Sequence, residues 1–283
     1  MKTGTALRAA AGLLLLGASL GVVLRVAQWT PLSGLHVGNA VHAHSHTLYF
    51  GWAGLALFAL MLERVEAPAR ASGWVLSALA ALGLATFFVF FFDGYGRAGV
   101  ALSAASVVPF GAAVGLFLVS ARGRRGVDLP FLRLGAGFVV LSYAAALSRV
   151  ALKVAGHDEP VLAALAVHLF LGAFGAFFLV TTLGLVLRAT GATATPALRT
   201  LSGFLPLLPL APLVVVPGVD DTPVGPVARL AASLTLVPAL LWLREARRLD
   251  GLLRSAAGAW ALAAALLAAT SLGALPTLPL QRH

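Results

Sequence analysis

Apolar stretches about 20 residues long recur along this 283-residue chain from one end to the other. That repetition leaves very few folds open. Inside hydrocarbon every backbone N–H and C=O has to be satisfied within its own segment, so a stretch of this length becomes a membrane-crossing helix. Composition agrees: 60% of residues are hydrophobic and only 11% are charged, against about 25% charged in a typical soluble domain. The expected fold is all-α, a polytopic transmembrane helical bundle forming one integral membrane domain over residues 1–283, with the lipid bilayer as its main partner. Spans are expected at 7–29, 41–62, 74–92, 100–120, 131–155, 161–187, 201–217, 227–243 and 256–276, about nine helices in all.

Charge sets the orientation. A formal net charge of +10 would suggest nucleic acid in a soluble protein, but here the basic residues sit in short loops between spans, so no nucleic-acid partner is expected. Lys2 and Arg8, Arg64 and Arg70, Arg122, Arg124 and Arg125, Arg188 and Arg199, then Arg244, Arg247, Arg248 and Arg254 mark alternate loops as cytoplasmic. The segments between them, 30–40, 93–99, 156–160 and 217–226, are poor in basic residues or acidic and are expected outside. This puts the N-terminus inside and the C-terminus outside. The first span has a basic start like a signal peptide, yet no small-x-small cleavage site closes it, so it is expected to stay as a helix. In the seventh, Pro206, Pro209, Pro212 and Pro217 remove backbone donors at close spacing, and the helix is expected to kink or break. Abundant Ala, and Arg in large excess over Lys, suit a GC-rich bacterial source and the inner, cytoplasmic membrane.

The chemistry lies in the histidines. Val41-His42-Ala43-His44-Ser45-His46 runs straight into an apolar stretch over 47–62, placing three imidazoles at the mouth of a span, where ionisable groups are costly and usually functional. His168 lies about 12 Å along the sixth span and His46 about 8 Å along the second. Both spans are expected to run inward, so the two can occupy one layer. His42 and His46, at i and i+4, share a face, whereas His44 is turned by about 200°. A helix beginning only after His44 would loosen that geometry and let all three converge. His157 reads as a loop residue, His283 as a free terminus, and His36 is undecided.

With no Cys and only Met1 and Met61, thiolate ligands, iron–sulfur clusters, covalent haem attachment and a copper(I) thioether ladder are excluded. Any metal is held by nitrogen and oxygen. Gly51 and Gly54 follow His46, and Gly172 and Gly175 follow His168; such small residues either clear a face for a macrocycle or let helices pack closely. Arg25, Arg149 and Lys153 fall towards the same side as the histidines and suit haem propionates, or else snorkel and pair with Asp93, Asp158 and Glu159.

His42-Ala43-His44 followed by Phe50-Gly51-Trp52 resembles the His-x-His and downstream Phe-Gly pattern of the NnrS family, haem- and copper-associated membrane proteins of the nitric oxide response. More distantly it is similar to haem-ligating helices of subunit I of the haem-copper oxidases. The likeness covers one helix and implies His42 and His44 as ligands. His46 is added by its depth, and His168 by geometry.

The expectation is therefore a protein binding haem b, copper or both, with zinc or iron as alternatives, and with a redox or diatomic-gas (NO or O2) role that makes it a possible oxidoreductase. An electron donor or small gas ligand would be its further partner. The ligand set is His42, His44, His46 and His168, with Arg25, Arg149 and Lys153 at the cofactor's carboxylates. Binding needs neutral imidazole and should weaken as pH falls. Two other classes compete. One is a proton-coupled transporter with a histidine relay; the other is a membrane-embedded metal-dependent hydrolase, weakened by the lack of histidine in the last three spans.

Overall fold

The computed structural model describes residues 1–246 apart from Pro31 and Asp158, together with Gly258. Asp158, Arg247, Arg248, Arg254, His283 and, Gly258 apart, the ninth span expected at 256–276 lie outside the described residues. The described chain is helical, with no strand. It forms two compact units, Met1–Arg124 and Arg125–His283, and each is taken by itself.

Seven helical stretches among the described residues are long and apolar enough to cross a membrane: Thr3–Ala27, Val37–Arg64, Ala69–Asp93, Arg97–Ser120, Leu129–Val154, Pro160–Ala189 and Val224–Glu245. The first unit holds α1 (Thr3–Ala27), then α2 (Val37–His46), which passes through a π-helical segment (Thr47–Gly54) into α3 (Leu55–Arg64), then α4 (Ala69–Asp93), α5 (Arg97–Ala105) and α6 (Val107–Ser120). Its core is aromatic: Phe58, Phe90, Phe110 and Phe117 are fully buried, with Phe110 meeting Phe50 and Phe58 edge-on at 5.5 and 5.8 Å. Outward on the same helices stand Leu15, Val22, Phe88, Phe92 and Val108. That is the inverse of a soluble surface and the expected face toward lipid chains.

In the second unit α7 (Leu129–Val154) and α8 (Pro160–Ala189) form a long hairpin, followed by α9 (Pro196–Phe204), α10 (Val224–Leu234) and α11 (Leu236–Ala246). Phe131, Leu132 and Phe177 pack between α7 and α8. One fully buried hydroxyl in each unit turns back on its own helix, Thr86 donating to the Gly83 carbonyl at 2.8 Å and Ser142 to that of Val139 at 2.8 Å. No water is needed there.

The stretch expected as the seventh span is not a continuous helix. After α9 ends at Phe204 the chain runs through 3-10 turns at Leu205–Leu207, Ala211–Val215 and Val219–Asp221. Proline rings block the i−4 ladder, and i−3 bonds replace it: Leu208 to Leu205, Leu210 to Leu207, Leu213 to Leu210 and Val216 to Leu213, at 3.0–3.1 Å. Leu205, Ala211, Leu213 and Val216 are buried, and the Ala211–Val215 turn packs on α8 and α10. Irregular backbone here is covered by protein.

Candidate functional site

α2 starts at Val37, with His36 as its exposed N-cap, so the histidine run is helical throughout. His42 and His46 therefore share a face and His44 points elsewhere. His46 closes the regular helix, and the next eight residues form the π-helical segment. Such insertions are commonly a single turn and recur at functional sites.

His46 is held by two hydrogen bonds and two phenyl rings. Its Nδ1–H donates to the His42 carbonyl at 3.0 Å. A carbonyl can only accept, so the proton is on Nδ1 and Nε2 carries the lone pair, to which the Tyr95 hydroxyl donates at 3.1 Å. The ring stacks on Phe90 with centroids 4.0 Å apart and meets Phe50 edge-on at 5.3 Å. The His42 ring lies 6.3 Å from that of His46 and stands edge-on to Tyr95 at 4.5 Å. Tyr95 is half-exposed. Partial withdrawal from water raises its phenol above the usual range, which keeps it the protonated donor of the pair.

The turn that presents Tyr95 is built for the purpose. Asp93 ends α4 and its Oδ2 accepts from the backbone N–H groups of Ala98 and Gly99 at 2.9 and 3.2 Å, capping the first turn of α5 with negative charge. Gly94 adopts φ 56°, a conformation costly for residues with a Cβ, and a Cβ there would strike the Asn39 side chain. Asn39 itself donates from Nδ2 to the Phe92 carbonyl at 3.5 Å, tying the start of α2 to the end of α4.

His44 faces α1. Its Nδ1–H donates to the Gly17 carbonyl at 2.8 Å, and a Cβ on Gly21 would come within 2.7 Å of the ring. The imidazole is a polar link between two spans, of the kind worth about 0.6–1.7 kcal/mol in membranes.

A macrocycle beneath His46 would have no room. A Cβ on Gly51 would meet the Gly83 backbone at 3.0 Å and Leu13 at 3.1 Å, and one on Gly54 would meet Phe110 at 2.8 Å. On this helix the glycines serve close packing.

The second unit differs. His168 Nδ1–H donates to the Ala164 carbonyl at 2.8 Å, again leaving the lone pair on Nε2. The ring lines an open groove of about 400 Å³ with Leu171, Gly172, Gly175, Leu179 and Pro212. Gly172 backs onto the Pro209 carbonyl, but a Cβ on Gly175 would meet nothing within 4 Å. One of the two glycines thus leaves the face below His168 open. Arg149 and Lys153 lie in the last two turns of α7, at the same end of the α7–α8 hairpin as His168.

Arg25 belongs to the first unit, exposed, donating to Gln28 Oε1 at 3.2 Å. His157 is exposed in the turn before α8. Among the described residues no group of three or more His, Asp or Glu side chains is placed to hold a metal ion.

Sequence reasoning missed Tyr95 and Phe90. The only local signal is an aromatic residue between two glycines, Gly94-Tyr95-Gly96, in a loop read solely for topology. Comparisons of the chain with protein-family models, with curated proteins and with solved structures find no match.

Proposed function

We propose that the chain is an integral protein of a bacterial cytoplasmic membrane that holds haem b through His168 and a transition metal through His42 and His46 of α2, in a redox or diatomic-gas role. The observation that carries this reading is shared by His46 and His168. Each has Nδ1–H fixed on a carbonyl of its own helix, leaving Nε2 as the donor atom, whereas the like bond of His44 ties its ring across to α1. Ligand imidazoles usually show that arrangement, because the outer bond fixes the tautomer and raises basicity. Their surroundings separate the ligands. His46 is walled by Phe90, Phe50 and Tyr95 and suits an ion, whereas His168 borders an apolar groove with an open glycine floor and suits a planar macrocycle. Bound there, haem would supply an iron able to take a diatomic ligand. Arg149 and Lys153 would hold its propionates, and His168 would ligate its iron. The difference in room favours two separate centres, one in each unit.

The spectrum tests this. Detergent-purified protein, reduced with dithionite, is expected to show a Soret band with α and β bands, and carbon monoxide should shift the Soret. A colourless preparation refutes the haem reading.

A second reading is favoured by one contact. The half-exposed Tyr95 hydroxyl donates to His46, which is how a proton relay of a transporter would begin. Proton-coupled uptake in vesicles by metal-free protein would select it.

We also propose that the chain crosses the membrane about nine times with the N-terminus inside, the proline-rich stretch crossing in broken form. Nine residues of α9 and about twelve of 3-10 character could span roughly 37 Å, more than the hydrocarbon thickness of about 30 Å, and the arginines from 244 to 254 then stay cytoplasmic. A reporter after Arg125 should be cytoplasmic and one near Asp220 exported. If both report the same side, the stretch re-enters without crossing.

A further inference from the structure

We propose that His46, His42 and Tyr95 form a site for one divalent transition-metal ion of the copper(II) class, with Tyr95 as its oxygen ligand. The inference deepens the metal reading of the α2 histidines and rests on it; it is independent of the groove at His168.

Three potential ligands from two segments of the first unit converge. The Tyr95 Oη and His46 Nε2 are 3.1 Å apart, and the His42 ring lies on the same side, 4.5 Å from Tyr95 and 6.3 Å from His46 between ring centroids. An ion about 2.1 Å from both atoms of the first pair would see them about 95° apart, between the square-planar and tetrahedral values, so neither has to move far. His42, one turn earlier on the same face, would supply a further nitrogen after side-chain rotation.

The supports of the ligands are already in place. The His42 carbonyl orients His46, and the capped, glycine-containing turn at 93–97 holds Tyr95 against it. Phe90 and Phe50 cover the inner faces of His46, keeping water and any larger cofactor off that side. His44 takes no part, because its ring is turned to Gly17 and Gly21 of α1, away from the face shared by His42 and His46.

The donor set selects the ion. Imidazole nitrogen with phenolate oxygen and no sulfur suits copper(II) or zinc, rather than copper(I), magnesium or calcium. On binding, the Tyr95 O–H···N contact is lost and the proton leaves to solvent, while the ion exchanges bound waters for the phenolate oxygen and the imidazole nitrogens with no change in oxidation state. The bound ion gains one negative ligand, while the carboxylate of this turn, Asp93, is engaged on the N–H groups of α5.

Copper(II) titrated into full-length protein, purified in detergent without a histidine tag, tests the site. The wild type is expected to take up one tight equivalent, with a phenolate-to-copper charge-transfer band in the visible and nitrogen hyperfine structure in its electron paramagnetic resonance. Tyr95→Phe keeps the ring packing and should lose the band and weaken binding roughly tenfold or more, while His44→Ala should keep both. A wild-type copper complex that has nitrogen hyperfine structure but no phenolate band overturns the role of Tyr95 and leaves the histidines as ligands. Since the band is read on the wild type, a misfolding variant cannot obscure that result. Copper uptake no greater than that of a His42→Ala, His46→Ala double variant overturns the metal reading of α2 altogether.

Discussion

His168→Ala is expected to strip the protein of haem while leaving its metal, and His46→Ala to do the reverse. Each loss should be at least about tenfold in occupancy, because removing a ligand costs no less than removing the residue that orients it. In the double variant the losses should simply combine, since ligands of separate centres act independently. The reason is local in both cases. His168 offers its lone pair beside a groove whose floor is open at Gly175, and the described surroundings supply no second imidazole there. His46 offers its own between Phe90 and Tyr95, with no room for a macrocycle. Quantifying haem and metal in the three variants checks this. If either single substitution removes both, the two histidines serve one centre.

Gly83→Leu should abolish the fold of the first unit. Gly83 and Gly51 bring α4 and the π-helical segment together backbone to backbone, and a Cβ on Gly83 would overlap the Gly51 Cα and lie 2.9 Å from the Leu13 side chain. A backbone cannot rotate aside as a side chain does, so the overlap must push the helices apart, at a cost of about 3 kcal/mol or more. The His46 site would be lost with it, because Phe90 on α4 and Phe50 on the π-helical segment hold the imidazole between them. Gly115→Leu is the control: a Cβ there meets nothing within 4 Å, and the change should stay within about 0.5 kcal/mol. Size-exclusion profiles of the detergent-solubilised variants after graded heating make the comparison. A Gly83→Leu protein as heat-stable as Gly115→Leu would show that the close crossing is not needed.

The spans are legible in the sequence because each is a local property of some 20 consecutive residues, and the break at 205–221 is legible for the same reason, through its prolines. The separation of His42 and His46 from His44 also follows from helical period alone. What a residue touches on another element does not. Tyr95 is 49 positions from His46, and nothing in the loop's composition says that the turn folds back on α2. The partner of His44 is a carbonyl 27 positions away, reached only because Gly17 and Gly21 leave space on α1. Glycine after histidine proved ambiguous for a physical reason: absent side chains serve a neighbouring helix at Gly51 and Gly54, but leave open space at Gly175. Only the tertiary neighbour distinguishes the two uses.

The central claim is that the histidines in these spans hold haem and metal, and the most direct measurement is their stoichiometry. Protein should be made in cells supplied with iron and copper, purified without chelator or histidine tag, and assayed by pyridine haemochrome and by elemental analysis of the same sample. The account predicts about one haem per chain, with about one further equivalent of a transition metal, because imidazoles carried into a membrane mouth are costly without a ligand. Both assays reading near zero would contradict it and leave a hydrogen-bonded network of His42, His46 and Tyr95 in its place.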